Sequence, residues 1–508
     1  MSIILHEMYF MSIKSKCKFI ILLLFGLSTA AYPQVYQNGR LELPIQTDIE
    51  SYSVIPIDTA GIALYRNFIG PKENLLELTR LDTAFQKVWN GYLPIPKELS
   101  FVYAKAVESK IYFFYKPHDP EKHNFYVTVV KIKDGGYISY PIENLIPFNP
   151  TEYAVGKNAL LIGGYFNRRP VILHYSLTER KSHMLPTFLN EPGEITQIKP
   201  YPDGNVDVIV SAKNSSRRKC LWVRQFNSVG DMIKTVVLEP GENKNLIFGR
   251  AAKTENDKQV IAGVYGRNTE YSRGVFVAEV SPNGEYVIHY YNFGDLKNFF
   301  HYLKARREKR IKARIERRKI QGKKIKFNYR FLVHEVVPYQ DQFVMLGEAF
   351  FPHYASRNNY AYFDGYEYTH AVVIGFDADA KLLWDNSFQI SGVKTYQLQQ
   401  FVKIAPVQDR IVLLYLFENT IRSKIIQGNE VIEGNSQEEV KTLEGERAMG
   451  RNTQNSKLEY WYGNHLFAHG IQNLKSSENN NVHKVFFINK LSVHYSVENK
   501  YLIPVKNK

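Results

Sequence analysis

Cysteine is nearly absent from the chain: Cys17 and Cys220 are the only two in 508 residues. Cys17 lies before an amino-terminal apolar run that reads as removable, so an internal disulfide is excluded in what remains. A lone thiol in an oxidising compartment is safest buried, and Cys220 in CLWVRQF reads as part of a core strand. Apolar runs of membrane-spanning length are missing as well. FIILLLFGLSTA, Phe19 to Ala30, is about twelve residues and too short to span a bilayer as a stable helix. Long polar tracts are also missing, and with 44% apolar residues the bulk of the chain is not disordered. No nucleophile elbow, phosphate-cradling glycine loop or zinc-protease helix is present.

What the amino terminus does carry is an address. Lys14, Lys16 and Lys18 precede the apolar run, and the small residues Ser28, Ala30 and Ala31 end it. This is the pattern of a secretory signal peptide over residues 1–31, cut after Ala30 or Ala31. A start at Met11, where the phrase MSI recurs, gives a signal of more usual length. The expectation is export: periplasmic, outer-membrane-associated or extracellular, with no transmembrane segment in the mature chain.

The net charge of +15 suggests nucleic acid until it is mapped. Leu303 to Lys326 holds thirteen Lys or Arg against Glu308 and Glu316, which accounts for eleven of those charges. The rest of the chain is nearly neutral, so the basicity is one local feature.

Aromatic residues, 35 Tyr and 31 Phe, favour pleated strands, and the strands repeat. Alternating apolar segments paired across polar turns begin at Leu75, Val127, Val171, Leu221, Val275 and Ala371. The last apolar residues before the turns are Leu81, Ile132, Tyr175, Phe226, Val280 and Phe376, spaced 51, 43, 51, 54 and 96 apart. The outlier contains the basic stretch and an aromatic segment. Weaker copies follow near Ile426 and Phe487, and each hairpin is preceded by two further candidate strands. Four strands in about fifty residues is the period of a propeller blade. The fold expected is an all-β propeller of eight four-stranded blades over residues 32–508, with seven as the alternative because the last two copies are degenerate. Gly39 to Ile45, GRLELPI, is a candidate closing strand for the last blade.

The clearest hairpin, FDADAKLLWDNSF, resembles the repeats of pyrroloquinoline-quinone-type propellers, in which D-x-x-G-x-x-x-W recurs. It is also similar to the Asp-box turn of sialidase-type propellers. Asp377 and Trp384 keep the spacing, as do Asp82 and Trp89, but Ala380 stands where the pattern has glycine. The resemblance covers the repeating unit and implies the fold; it implies neither an activity nor a cofactor, and no cofactor is expected.

Two insertions in the sixth repeat are the candidate contact surfaces. Residues 295–326 read as a basic helix of about twenty-five residues, capped by Asp295, ended by Gly322, and bearing Phe300, Leu303, Ile311 and Ile315 on one edge. Its Arg306, Arg307, Arg310, Arg314, Arg317 and Arg318 are the expected contacts for an anionic partner. Candidates are an acidic protein, an anionic envelope lipid or lipopolysaccharide; the secreted address argues against nucleic acid. Residues 350–370 read as an aromatic loop, with Tyr354, Tyr360, Tyr362, Tyr366 and Tyr368 placed to stack on a glycan or peptide, or to pack on the propeller. Metal ligation is not expected: His118 to His123, HDPEKH, matches no zinc spacing, and Asp377 and Asp379 read as turn residues. Residues 434–456 read as a polar loop. The functional expectation is a binding or scaffolding propeller, an accessory of a cell-envelope assembly. The alternative is a polysaccharide hydrolase or lyase, whose carboxylates or arginines would converge at one end of the channel.

Overall fold

Every alternating segment picked out above forms the outer half of a blade. The structure is a computed structural model that describes residues 35–493 except 70–73, 120–123, 187–191, 255–256, 324, 358–359, 451–455 and 479. The expected signal peptide and His123 lie outside the described residues. Eight antiparallel sheets follow one another along the chain. Blades 1 to 5 are plain four-stranded meanders spanning Ser53–Ile95, Leu99–Ile142, Asn149–Met184, Gly193–Leu238 and Asn245–Asn292. Blade 6 (Arg330–Thr395) carries two extra short strands, Val337–Tyr339 and Lys394–Thr395, and blade 7 is Lys403–Glu439. Blade 8 is built from Glu446–Met449, Lys457–Tyr460, His465–Ser476 and Val482–Val493, and its outermost strand is Val35–Pro44 from the other end of the chain. The expected closing strand is thus present, and the ring has eight blades.

A four-stranded sheet has two apolar faces, and here each face is buried against a neighbour. Eight apolar clusters result, one for each pair of adjacent blades. The cluster joining blade 8 to blade 1, Ile62, Leu64 and Leu81 against Phe467, Ile471 and Phe486, closes the ring. Trp461 adds a hydrogen bond from Nε1 to the Gly61 carbonyl at 2.8 Å. Cys220 is fully buried in blade 4, and burial pushes its thiol up to about 11, the opposite of what a reactive thiolate needs.

The hairpin turn is the part of the repeat that survives sequence divergence. In blade 6 the Asp377 Oδ1 accepts the N–H groups of Asp379 and Lys381 at 3.0 and 2.8 Å, and Ala380 sits at φ +61°. Asp82 does the same for Ala84 and Gln86, and Asn227 for Val229 and Asp231. The fourth turn position is left-handed each time: Phe85, Gly230 and Ala380. Ala380 therefore occupies the glycine place at a backbone cost of about 1 kcal/mol. Asp377 shapes this turn as expected, whereas the Asp379 carboxylate lies 3.7 Å from Lys258.

Three expectations need correction. The basic helix, α1, covers only Ala305–Ile320, with Lys304 rather than Asp295 at its N-cap. The segment 296–304 is not helical, because Leu296, Phe299 and Phe300 are drawn into the core between blades 5 and 6. The aromatic segment is no loop. Gln342–Arg357 and Tyr360–Phe376 pair, across two bulges, out to Arg357 opposite Tyr360, so it is a two-stranded ribbon growing from the middle of blade 6. Of the polar segment 434–456, the first part belongs to the outer strand Glu430–Glu439 and a second part forms Glu446–Met449, residues 440–445 lie in no strand, and 451–455 lie outside the described residues.

Gly322 does end α1, in the left-handed conformation at φ +60°. The N–H of Lys323 reaches the Arg318 carbonyl at 2.9 Å and the N–H of Gly322 the Lys319 carbonyl at 3.0 Å, a complete Schellman cap. A Cβ at position 322 would touch nothing, so Gly322→Ala costs only backbone strain, about 1 kcal/mol. The expected readout is local: roughly fivefold faster amide exchange at Gly322 and Lys323, with the propeller's exchange unchanged.

Candidate functional site

Strand direction decides where the insertions sit. Strands alternate in direction through each blade, so the turns between second and third strands share a face of the ring with the connections between blades. The ribbon is a second-to-third turn. The stretch carrying α1 links blade 5 to blade 6. Both therefore stand on one face, next to each other.

The α1 stretch is docked by its non-helical half. Asp385, buried on the outer strand of blade 6, accepts the N–H groups of Lys297 and Asn298 at 2.9 and 2.7 Å. Asn298 in turn donates to the Asp385 and Asn429 carbonyls, and Ser387 Oγ donates to the Asn298 carbonyl. Lys424 reaches the Asn386 amide oxygen and the Ser387 carbonyl; burial pushes its ammonium down to about 8. Above this network His370 is enclosed by rings. It stacks on Tyr302 at 3.6 Å and meets Phe299 and Tyr329 edge-on. The helix itself leans on the propeller through Ile315, which is buried, and Ile311.

That contact fixes which side of α1 faces water. At 100° per residue the six arginines occupy one arc of about 120°, running from Arg306 through Arg317, Arg310, Arg314 and Arg307 to Arg318. The ion-paired lysines lie on the opposite flank: Lys312 with Glu308 at 2.6 Å and Lys319 with Asp295 at 3.0 Å. Arg306, Arg307, Arg310, Arg314 and Arg317 are exposed, and among the described residues none of them has an ion pair. Arg318 is half-buried and partnered. The segregation of arginine from lysine is the feature that the sequence reading missed. Projecting residues 305–320 on a helical wheel reveals it.

The ribbon divides the five tyrosines. Tyr360 and Tyr354 are 80% and 61% exposed, and Tyr362 is exposed beside them. Tyr366 and Tyr368 are supports. Rings run inward from Tyr354 to Phe363, Tyr366, Phe350, Tyr368 and Phe401, each 5.0–6.2 Å from the next. Tyr368 ends fully buried, with its hydroxyl donating to the Gln399 carbonyl at 2.9 Å. A cavity of about 470 Å³ lies between ribbon and helix, lined by Tyr302, Arg307, Tyr329, Phe350 and Phe351 among others. Arg307 is thus the one arginine shared by the helix and the ribbon base.

No family model matches the chain, and no curated protein matches it in sequence. Solved structures do resemble it. A polysaccharide lyase aligns over 90% of this chain and 100% of its own at 8% identity and a TM-score of 0.39. The β-propeller domain of the Trilobed protease from Pyrococcus furiosus aligns over 76% and 98% at 8% identity and 0.36. A protein from Lactobacillus plantarum aligns over 74% and 99% at 10% and 0.37. The likeness is one of architecture.

The channel is lined by the innermost strands, and these carry a feature no sequence pattern announced. In blades 2 to 5 the innermost strand is bulged, between Phe101/Tyr103, Pro150/Glu152, Ile195/Gln197 and Leu246/Phe248. In blade 6 the strand is interrupted at 334–336. Bulges re-aim side chains. Glu335 of blade 6 pairs with Arg250 of blade 5 and accepts from Gln197 Nε2 of blade 4 at 2.7 Å. Burial raises the Glu152 carboxyl of blade 3, with Arg250 pulling it back and Glu335 raising it further. Of the channel carboxylates, Glu335 pairs with Arg250, and Glu459 feels the charges of Lys403 and Lys457. As for metals, three ligand atoms come together among the described residues only at Glu42, Glu446 and His483, where Arg40 already pairs with Glu42. His118 and Asp119 have no part in it.

Proposed function

We propose that the chain is an exported binding or scaffolding propeller that engages an anionic partner or envelope surface through the arginine face of α1. The observation that carries this reading is the segregation itself. A solvated helix intersperses its charges, whereas five exposed arginines here lie on one arc with no carboxylate among them. Arginine holds carboxylates and phosphates through two parallel N–H bonds, which lysine cannot do. The exposed tyrosines of the ribbon stand on the same face and extend the contact to a glycan or peptide. Export rests on the signal pattern. A cut after Ala30 or Ala31 would leave whole the closing strand that begins at Val35.

The test is the fourfold variant Arg306→Glu, Arg310→Glu, Arg314→Glu, Arg317→Glu. None of these residues holds the helix to the ring, so the variant should fold with an unchanged melting temperature. Binding to anionic vesicles, to lipopolysaccharide or to an acidic partner captured in intact cells should fall by about a hundredfold or more. It should fall with added salt in the parent protein as well. Unchanged binding and unchanged envelope fractionation would sink the proposal. Amino-terminal sequencing of the exported protein tests the cleavage site separately.

A further inference from the structure

The channel wall is open where blades 1, 2 and 8 meet. Blade 1 has an innermost strand of only four residues, Ser53–Pro56, against nine in blade 2. The short strand leaves a cavity of about 610 Å³, within the range of small-molecule sites. Tyr65, Phe101 and Tyr103 supply ring surfaces, and Asp48, Lys105, Lys457, Glu459 and His469 supply the charged and titratable groups. Lys457 and His469 are direct cross-strand partners in blade 8.

Two observations point to a ligand. His469 is 6% exposed, yet neither ring nitrogen has a hydrogen-bond partner among the described residues. Its Nε2 lies 3.6 Å from Glu459 Oε1, an ion-pair separation that is too long for a hydrogen bond. A buried imidazole left in this state is costly unless something else fills its coordination. The charge is also lopsided. Lys105 and Lys457 line the cavity and Lys403 acts on the Glu459 carboxylate; of the two lining acids, Asp48 is taken up by Lys484 at 3.0 Å, which leaves Glu459 alone against the lysines. Burial works against the Glu459 charge, but His469, Lys403 and Lys457 outweigh it and hold its carboxyl below the usual range. Glu459 stays ionised, and the cations around it still exceed it.

We propose that this cavity binds a small carboxylate carried on a ring, with Lys457 and Lys105 meeting the carboxylate, His469 donating to a ligand oxygen, and Tyr65 and Phe101 packing against the ring. An acidic sugar and an aromatic acid share that chemistry. Titration calorimetry with glucuronate and benzoate, each beside its neutral counterpart, glucose and benzyl alcohol, separates the two sources. One acid should bind, and its neutral counterpart should bind at least about tenfold more weakly. Lys457 is exposed, so Lys457→Glu should fold normally and weaken the acid by about tenfold or more while leaving the neutral ligand unaffected. His469→Gln, which keeps a donor, should retain more affinity than His469→Leu. Tighter glucuronate identifies a sugar acid, and tighter benzoate an aromatic one. The proposal is overturned if neither acid binds at roughly 10 mM, if acid and neutral forms bind alike, or if Lys457→Glu changes nothing.

Discussion

Deleting Val35–Ile45 should open the ring and lower stability by about 5 kcal/mol or more, the largest single effect expected in this protein. The strand is the fourth of blade 8 and pairs with Val482–Val493 at nine register positions. Val35 and Ile45 are buried, and each contributes about 1.5–3 kcal/mol of apolar transfer. Arg40 is the other anchor. Its guanidinium pairs with Glu42 and donates to Asn489 Oδ1 at 2.7 Å, Gln472 Oε1 at 2.7 Å and the Lys441 carbonyl at 2.9 Å. Without it, buried Asn489 and Gln472 lose partners. The deletion also exposes the edge of Val482–Val493, an unpaired template for aggregation. Denaturant midpoints and size-exclusion profiles of parent and truncated chains measure the effect. A synthetic peptide of residues 33–46 added in trans should restore part of the loss by strand addition. A truncated chain melting within about 1 kcal/mol of the parent would falsify the view that this strand closes the ring.

The closing strand was legible in the sequence, as were the hairpins, for a common reason. Outer strands alternate cleanly, and their turns need Asp or Asn first and a left-handed residue fourth, so Asp82, Asn227 and Asp377 mark them. The eighth blade looked degenerate because its fourth strand lies some 440 residues away. The seventh looked so because its outer strand, EVIEGNSQEE, is almost wholly polar. The helix was overextended because Phe299, Phe300 and Leu303 mimic a helical stripe. They are apolar for another reason: they dock a turn into the core between blades 5 and 6. The ribbon was misread because a strand pair outgrowing its blade has no period to betray it. The channel cavity had no local signal. Lys105 and His469 are hundreds of residues apart and meet only when the ring closes.

Acid should weaken the fold well before the carboxylates titrate, through two buried histidines, one of them in the ring cage that docks the α1 stretch. His370 is fully buried in its ring cage, and burial pushes its imidazole down to about 3. A cage of this kind returns about 2 kcal/mol to a cation, less than a buried charge costs. His174, buried in blade 3, is pushed down to about 4 by burial and by His183, whose ring lies 4.8 Å away. In the unfolded chain both protonate near pH 6.5. Above that pH neither state binds the protons, and the stability due to neutral burial is fully present. Below it the unfolded chain takes up two protons that the folded chain refuses. Each costs about 1.4 kcal/mol per pH unit, until the folded pKa of that histidine is passed. Between pH 7.5 and 5 the loss is about 4 kcal/mol. Buried Asp207 and Asp385 work in the opposite sense. Burial raises both carboxyls, so protonating them as the pH falls favours the folded state. The difference between variants therefore isolates the histidines. His370→Phe and His174→Leu should each flatten the slope of stability against pH, over pH 6.5 to 5, by about 1.4 kcal/mol per unit, and the double variant by twice that. Urea midpoints at four pH values across this window measure the slopes. Slopes equal to the parent's would show that neither imidazole is buried neutral, and that the ring cage around His370 does not hold the docked segment as described.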